Sequence, residues 1–264
     1  MGVPLAYNLR NLVERKATTL MTAAGIALTV CVLVIAMSLM NGLRAVFAST
    51  GHPLQAVVMR KGSTAELNSS VSDSAYQLIK LLPGLATLDD GQTMASGEVI
   101  SVINLPSVDS PSGMNVTVRG LLPAGVKMRN LSTTAGRWFQ PGLREVVVGK
   151  SIAKRYPAAS LGSTLKFGRG RWQVVGVFDG GQSAVNSEIW CDLNQLSADF
   201  DRQGNMSSVL IRAKSPADLD NIISAIKDNK QLNAEAVKEQ AYYASLTSAG
   251  QPMQVQVMAH GGLR

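Results

Sequence analysis

Leu20-Met21-Thr22-Ala23-Ala24-Gly25-Ile26-Ala27-Leu28-Thr29-Val30-Cys31-Val32-Leu33-Val34-Ile35-Ala36-Met37-Ser38-Leu39-Met40 is the centre of a run from Ala17 to Leu43 whose only ionisable side chain is the Cys31 thiol. Lys16 and Arg44 bound it. About 20 apolar residues suffice to cross a ~30 Å hydrocarbon layer, so residues 17–43 are expected to form a transmembrane helix. Ala23, Ala24, Gly25, Ala27 and Thr29 gather in its first half and permit close approach of another helix. A cleavable signal sequence has an apolar region of only ~7–15 residues after a short basic start. Here residues 1–16 come first, so a retained span is expected, although Val46-Phe47-Ala48 would serve as a cleavage site.

That run explains the composition. The chain has 264 residues, of which 46% are hydrophobic and 16% charged, below the roughly 25% charged of ordinary soluble domains. Disorder and a charged coiled coil are excluded. Cys31 and Cys191 cannot make a disulfide scaffold, and with His52 and His260 they match no zinc spacing. Aromatic residues, at 5%, are too sparse to stack single-stranded nucleic acid. The net charge of +7 marks topology and a weak attraction to anionic lipid.

Flanking charge orients the span. Arg10, Arg15 and Lys16 precede it against Glu14, whereas Arg44 stands alone after it until Arg60 and Lys61. The positive-inside rule places the N-terminus in the cytoplasm and everything after about residue 45 outside. Within residues 1–16, Leu5, Leu9, Leu12 and Val13 share one helical face, and Arg10 and Arg15 lie off it. This pattern predicts an interfacial elbow helix on the cytoplasmic surface, in contact with membrane lipid.

Residues 50–247 predict a mixed α/β extracytoplasmic domain, giving an α+β chain with one N-terminal transmembrane helix. Two strand–helix–strand units open and close the domain. The first has a strand at 55–59 and a helix at about 73–82 whose apolar face is Val71, Ala75, Leu78, Ile79 and Leu82, with a further strand candidate after Pro83-Gly84. The second has a strand at 208–211, a helix begun by Ser215-Pro216-Ala217-Asp218 with Leu219, Ile222, Ile223 and Ile226 inward, and a third element at 234–237. Between them the period is two. Val116 and Val118 alternate with Thr117 and Arg119, as in a half-buried strand. Strands at 99–103, 145–148, 164–167 and 171–178 and a short helix at 152–156 complete an inserted β-rich subdomain, with a hairpin at Gly168-Arg169-Gly170.

No enzyme constellation emerges. Gly149-Lys150-Ser151 follows a strand and opens a helix, but a phosphate-binding loop needs a glycine at position 144, which is Arg144. Asp89-Asp90 and Asp199-Phe200-Asp201 read as solvated turn residues. Cys191, Trp138, Phe139, Trp172 and Trp190 read as core. The chain is expected to be no enzyme and to carry no cofactor, metal or nucleic acid.

Tyr7-Asn8-Leu9-Arg10-Asn11-Leu12, Arg15-Lys16 and the Leu20–Leu28 segment resemble the N-terminus of MacB/FtsX-type ABC transporter permeases. Ala135-Gly136-Arg137-Trp138-Phe139, the stretch 145–153, Leu161-Gly162-Ser163-Thr164-Leu165 and the stretch 172–178 resemble landmarks of the family's MacB-like periplasmic core domain. Tyr242-Tyr243 is similar to its approach to a second span. The resemblance implies a permease subunit in the bacterial inner membrane, with a separate ABC ATPase subunit, a second permease copy and a periplasmic adaptor protein as partners. ATP hydrolysis would move the outside domain to export or release a substrate. Residues 248–264 depart from the family pattern, which continues with three further spans, so an N-terminal part of a permease is expected. The alternative from another class is a stand-alone, single-span extracytoplasmic binding or adaptor module.

Overall fold

The computed structural model describes residues 15–48, 51–181 and 183–249. The chain divides into two units, one up to Ala45 and one from Val46 onward. Helix α1 (Lys16–Ala48) contains an uncharged apolar stretch with a mean hydropathy of 2.5, and none of that stretch is buried by protein. The 27 residues from Lys16 to Gly42 extend about 40 Å at ~1.5 Å per residue. Two of its hydroxyls are satisfied within the helix: Thr22 Oγ1 donates to the Thr18 carbonyl and Thr29 Oγ1 to the Gly25 carbonyl, each at 2.9 Å. Such polar side chains cost little in an apolar environment.

The second unit is built on one sheet. Its strands are β1 (Gln55–Arg60), β3 (Ala95–Leu105), β4 (Met114–Leu121), β5 (Thr133–Gly136), β6 (Glu145–Gly149), β7 (Thr164–Phe167), β8 (Gly170–Phe178), β9 (Glu188–Asp192), β11 (Ser208–Arg212) and β12 (Ala234–Lys238). The order is β12-β1-β11-β3-β4-β9-β6-β8-β5, with β7 also on β8. The pairings β4–β9 and β6–β8 are parallel and the others antiparallel. The inserted segment thus continues the sheet that the chain's two halves begin. β2 (Val71–Ser72) and β10 (Asn205–Met206) form a separate two-stranded ribbon.

Helices cover both faces. On one lie α2 (Asp73–Ile79), α4 (Lys150–Arg155), α5 (Leu193–Asp199) and α6 (Pro216–Asp228). The Ser215 hydroxyl caps α6 by accepting from the Asp218 amide at 3.1 Å, and Pro216 sits in its first turn. Leu219, Ile222 and Ile226 are buried against Ala56, Val58 and Ala236; each contributes roughly 1.5–3 kcal/mol. On the other face, α3 (Pro123–Arg129) and α7 (Glu239–Ala249) supply Met128, Tyr242 and Tyr243 to Val57, Met59 and Leu210. Beyond them Trp190, Phe178 and Trp138 stack at 4.5–6.0 Å around Leu121 and Val147. β1 therefore sends alternate residues into two cores, and Gln55 through Met59 are all buried.

Four sequence expectations change. The helix expected to reach residue 82 ends at Ile79, and its last turn tightens as the Leu81 and Leu82 amides bond three residues back, ahead of Pro83. Val71 belongs to β2, Leu78 is exposed, and Tyr76 takes the core position. The strand candidate after Gly84 is reduced to a bridge between Leu85 and Ala213. Arg119, on the face of β4 expected to meet solvent, is 2% exposed, because α3, α7 and the 3-10 turn Glu66–Asn68 roof that face.

Candidate functional site

The domain begins just after α1 and its last described helix is α7, and these two ends are fastened to each other. Gly51 has φ +96°, and a Cβ there would lie 3.0 Å from Glu239 Cγ, so both the turn and the close approach require glycine. The His52 amide donates to Glu239 Oε2 at 2.8 Å. His52 Nδ1 accepts from the Leu54 amide at 3.1 Å, and the chain then enters β1. Four residues past β12, Tyr242 receives a hydrogen bond on its hydroxyl from the Glu66 amide at 3.1 Å, and its ring packs edge-on to Tyr243 at 5.4 Å.

Behind this junction lies a buried ion cluster. Arg119 donates to Glu188 through Nε and Nη2, both at 2.9 Å, to Glu66 through Nη1 and Nη2 at 3.0 and 3.1 Å, and to Glu98 through Nη1 at 2.6 Å. Arg129 takes Glu98 from the other side at 2.6 and 2.9 Å and lies 5.3 Å over the Trp190 ring. The remaining carboxylate valences go to the Ser208 hydroxyl on Glu66 and to Trp190 Nε1 on Glu188. Burial alone would raise the Glu98 carboxyl, but Arg129 and Arg119 outweigh it and hold it below the usual carboxylate range. Ion pairs this deep are costly to desolvate and costlier to break. The cluster ties β3, β4, β9, β11 and the Glu66 turn to the α7 junction. A guanidinium fills the centre of its three carboxylates, and no group of His, Cys, Asp or Glu among the described residues is arranged to hold a metal.

Glu239 differs from these acids. Burial raises its pKa, and Arg129 and the His52 amide pull the other way without cancelling it. Burial, then Arg212, lowers that of His52.

The residues singled out in the sequence are dispersed. Arg15 and Lys16 are exposed at the start of α1, and Arg44 lies on its final turns. Leu5, Leu9, Arg10 and Leu12 lie outside the described residues. At Gly149-Lys150 the Lys150 amide donates to Asn186 Oδ1 at 3.0 Å and Lys150 Nζ pairs with Asp179 at 2.7 Å. A Cβ at residue 149 would sit 2.1 Å from the Asn186 carbonyl oxygen, so Asn186 occupies the space above this turn. Asp199 is buried and paired with Arg144 at 2.7 Å; the expected solvated turn residue is instead the end of α5. Exposed Asp201 pairs with Arg169, and Asp90 with Lys127 at 2.9 Å. Cys191 is buried, which pushes its thiol up. Sequence reading missed the Arg119 cluster; its one available sign was an arginine in a strand of Val-Thr-Val-Arg-Gly-Leu.

Residues 19–229 match the family described as the MacB-like periplasmic core domain. Among proteins of curated function, none matches the sequence. The fold is similar to the extracellular domain of the noncanonic ABC-type transporter YknZ from Gram-positive bacteria, with a TM-score of 0.52 and 16% identity over 69% of this chain and 99% of that one. It is also similar to the periplasmic region of MacB from Actinobacillus actinomycetemcomitans, with a TM-score of 0.53 and 11% identity over 73% of this chain and 92% of that one.

Proposed function

As the chain belongs to the family of the MacB-like periplasmic core domain, we propose that its membrane-anchored extracytoplasmic domain relays movement in an ABC transporter permease. The relay begins at a separate ATP-hydrolysing subunit in the cytoplasm. Two permease copies sit on two such subunits, and closure on nucleotide moves the spans in the inner membrane. The outside domains then shift to expel or release a substrate, with a periplasmic adaptor as a further partner. The chain itself catalyses nothing, and its N-terminus is cytoplasmic by the bias of Arg10, Arg15 and Lys16.

The observation that carries this reading is the junction. The segment that follows α1 and the helix that ends the described domain are hydrogen-bonded through His52 and Glu239. The helix in turn packs Tyr242 and Tyr243 on the face where Arg119 binds three carboxylates, and Tyr242 accepts from the amide of one of them, Glu66. A displacement applied at the chain ends therefore passes to the centre of the sheet through charge-assisted bonds that stretch little. A hinge would instead show few buried contacts at this point.

Two measurements test the reading on the permease in membranes with its ATPase. A reporter fused after Arg60 should score as extracytoplasmic and one at residue 2 as cytoplasmic; the reverse overturns the orientation. Spin labels at Arg169→Cys, on the exposed β7–β8 turn of each copy, should change separation when ATP is added. The same distance distribution with and without ATP would favour the stand-alone adaptor module.

A further inference from the structure

Beside the junction is a cavity of about 260 Å³ whose lining includes His52, Arg129, Asn130, Arg212 and Glu239. Hydrogen-bond donors dominate it. Arg129 commits both Nη atoms to Glu98, and its Nε, buried, has no partner. Its side chain is 7% exposed. Arg212 leaves β11 and donates through Nη2 to the neutral Met128 carbonyl, while its buried Nε also lacks a partner. His52 accepts on Nδ1, so the neutral ring carries its proton on Nε2. Asn130 ends α3 in the left-handed conformation, φ 47°, and its side chain is exposed at the rim.

Buried donors without acceptors are unfavourable, and Arg129 and Arg212, each with an unpartnered Nε, both belong to the lining of this one cavity, a pairing that calls for an oxyanion. Burial depresses the Arg212 guanidinium, with Glu239 acting against it, as for a cation short of counter-charge. Glu239 also faces the cavity and disfavours a highly charged guest, so a monoanion suits it better than a dianion.

We propose that this cavity binds a phosphate group, with Arg212 and Arg129 donating to its oxygens, and that the phosphate belongs to a phospholipid headgroup or to a free phosphate. The site is independent of ATPase coupling. The assay uses the full chain in maltoside, which contains no phosphate. The melting midpoint is followed by tryptophan fluorescence against inorganic phosphate in one arm and a soluble short-chain phosphatidylglycerol in the other, with chloride balancing ionic strength. Stabilisation by inorganic phosphate identifies a free anion, and stabilisation by the lipid alone identifies a headgroup. In either case Arg212→Met should weaken binding at least tenfold, and Arg212→Lys should fall between. Asn130→Asp, an exposed position that tolerates aspartate in this conformation, should also weaken it by adding a carboxylate at the rim. No stabilisation in either arm, or undiminished stabilisation in Asn130→Asp and in whichever Arg212 variants fold, overturns the proposal.

Discussion

Replacing Arg119 by methionine keeps the unbranched apolar stem out to about the position of Nε and removes the charged guanidinium. Five hydrogen bonds to three buried carboxylates go with it. Glu98 keeps Arg129, but Glu66 is left with the Ser208 hydroxyl and Glu188 with the Trp190 indole. Taking all five groups as ionised, the cluster goes from a net charge of about −1 to about −2 in a setting that water does not reach. Removing one partner of a buried ion pair costs about 3–5 kcal/mol, a large share of the ~5–15 kcal/mol that holds a domain folded. At roughly 2–4 °C per kcal/mol for a domain of this size, the midpoint should fall by about 6–20 °C. Trp138, Trp172 and Trp190 all lie in the extracytoplasmic domain, so intrinsic fluorescence of the whole chain in detergent reports this unit alone. Adding Glu66→Gln and Glu188→Gln to Arg119→Met neutralises the two stranded carboxylates and should recover more than half of the loss. A single variant that melts within ~2 °C of the parent would refute the role given to the cluster. A triple variant no better than the single would show that packing, and not charge, sets the cost.

Ile222→Asp should lower stability by roughly 3 kcal/mol or more, through lost burial and an unpaired buried charge; a denaturant midpoint equal to the parent's would mean that α6 is not held by that face. Glu239, whose folded pKa is raised by burial above the ordinary 4.5, contributes stability present below pH 4.5 and lost as pH rises through its folded value. Glu239→Gln should accordingly flatten the decline in melting temperature from pH 4.5 upward, and an unchanged slope would assign that decline elsewhere. Lys150→Ala removes an exposed, solvent-screened ion pair with Asp179 and should leave stability nearly unchanged. Equilibrium dialysis should find no ATP bound before or after that change, and binding abolished by it would restore the phosphate-loop reading.

Where side-chain pattern and neighbouring residues decide an element, the sequence was sufficient. The uncharged run through Leu20–Met40, the cap at Ser215-Pro216 and the Gly168-Arg169-Gly170 hairpin are all local, and the structure has a helix, a helix start and the β7–β8 turn there. The parallel pairings β4–β9 and β6–β8 were not legible, since nothing at Thr117 states that Glu188 will lie beside it. The Arg119 cluster failed to show for the same reason. Its members at 66, 98, 119 and 188 become neighbours only after the sheet closes, and strand alternation assigns Arg119 to solvent unless the second roof is known. Tyr76 displaced Leu78 because the helix is one turn shorter than its apolar spacing allowed, which rotates the buried arc.

β1 has consequences for the order in which the molecule can be made. It pairs on one side with β11, where Val57 faces Leu210, and on the other with β12, where Val57 faces Val237. Both partners are synthesised after nearly all of the rest of the domain. At ~5–20 residues per second, the roughly 180 residues between β1 and the end of β12 take about 10–40 seconds to emerge. Throughout that interval Gln55-Ala56-Val57-Val58-Met59 waits as an unpaired, β-prone segment a few residues from the anchoring helix, while its high sequence separation makes closure slow. The newborn chain is thus tethered early and completed late, which makes β1 the segment most in need of a chaperone during biogenesis.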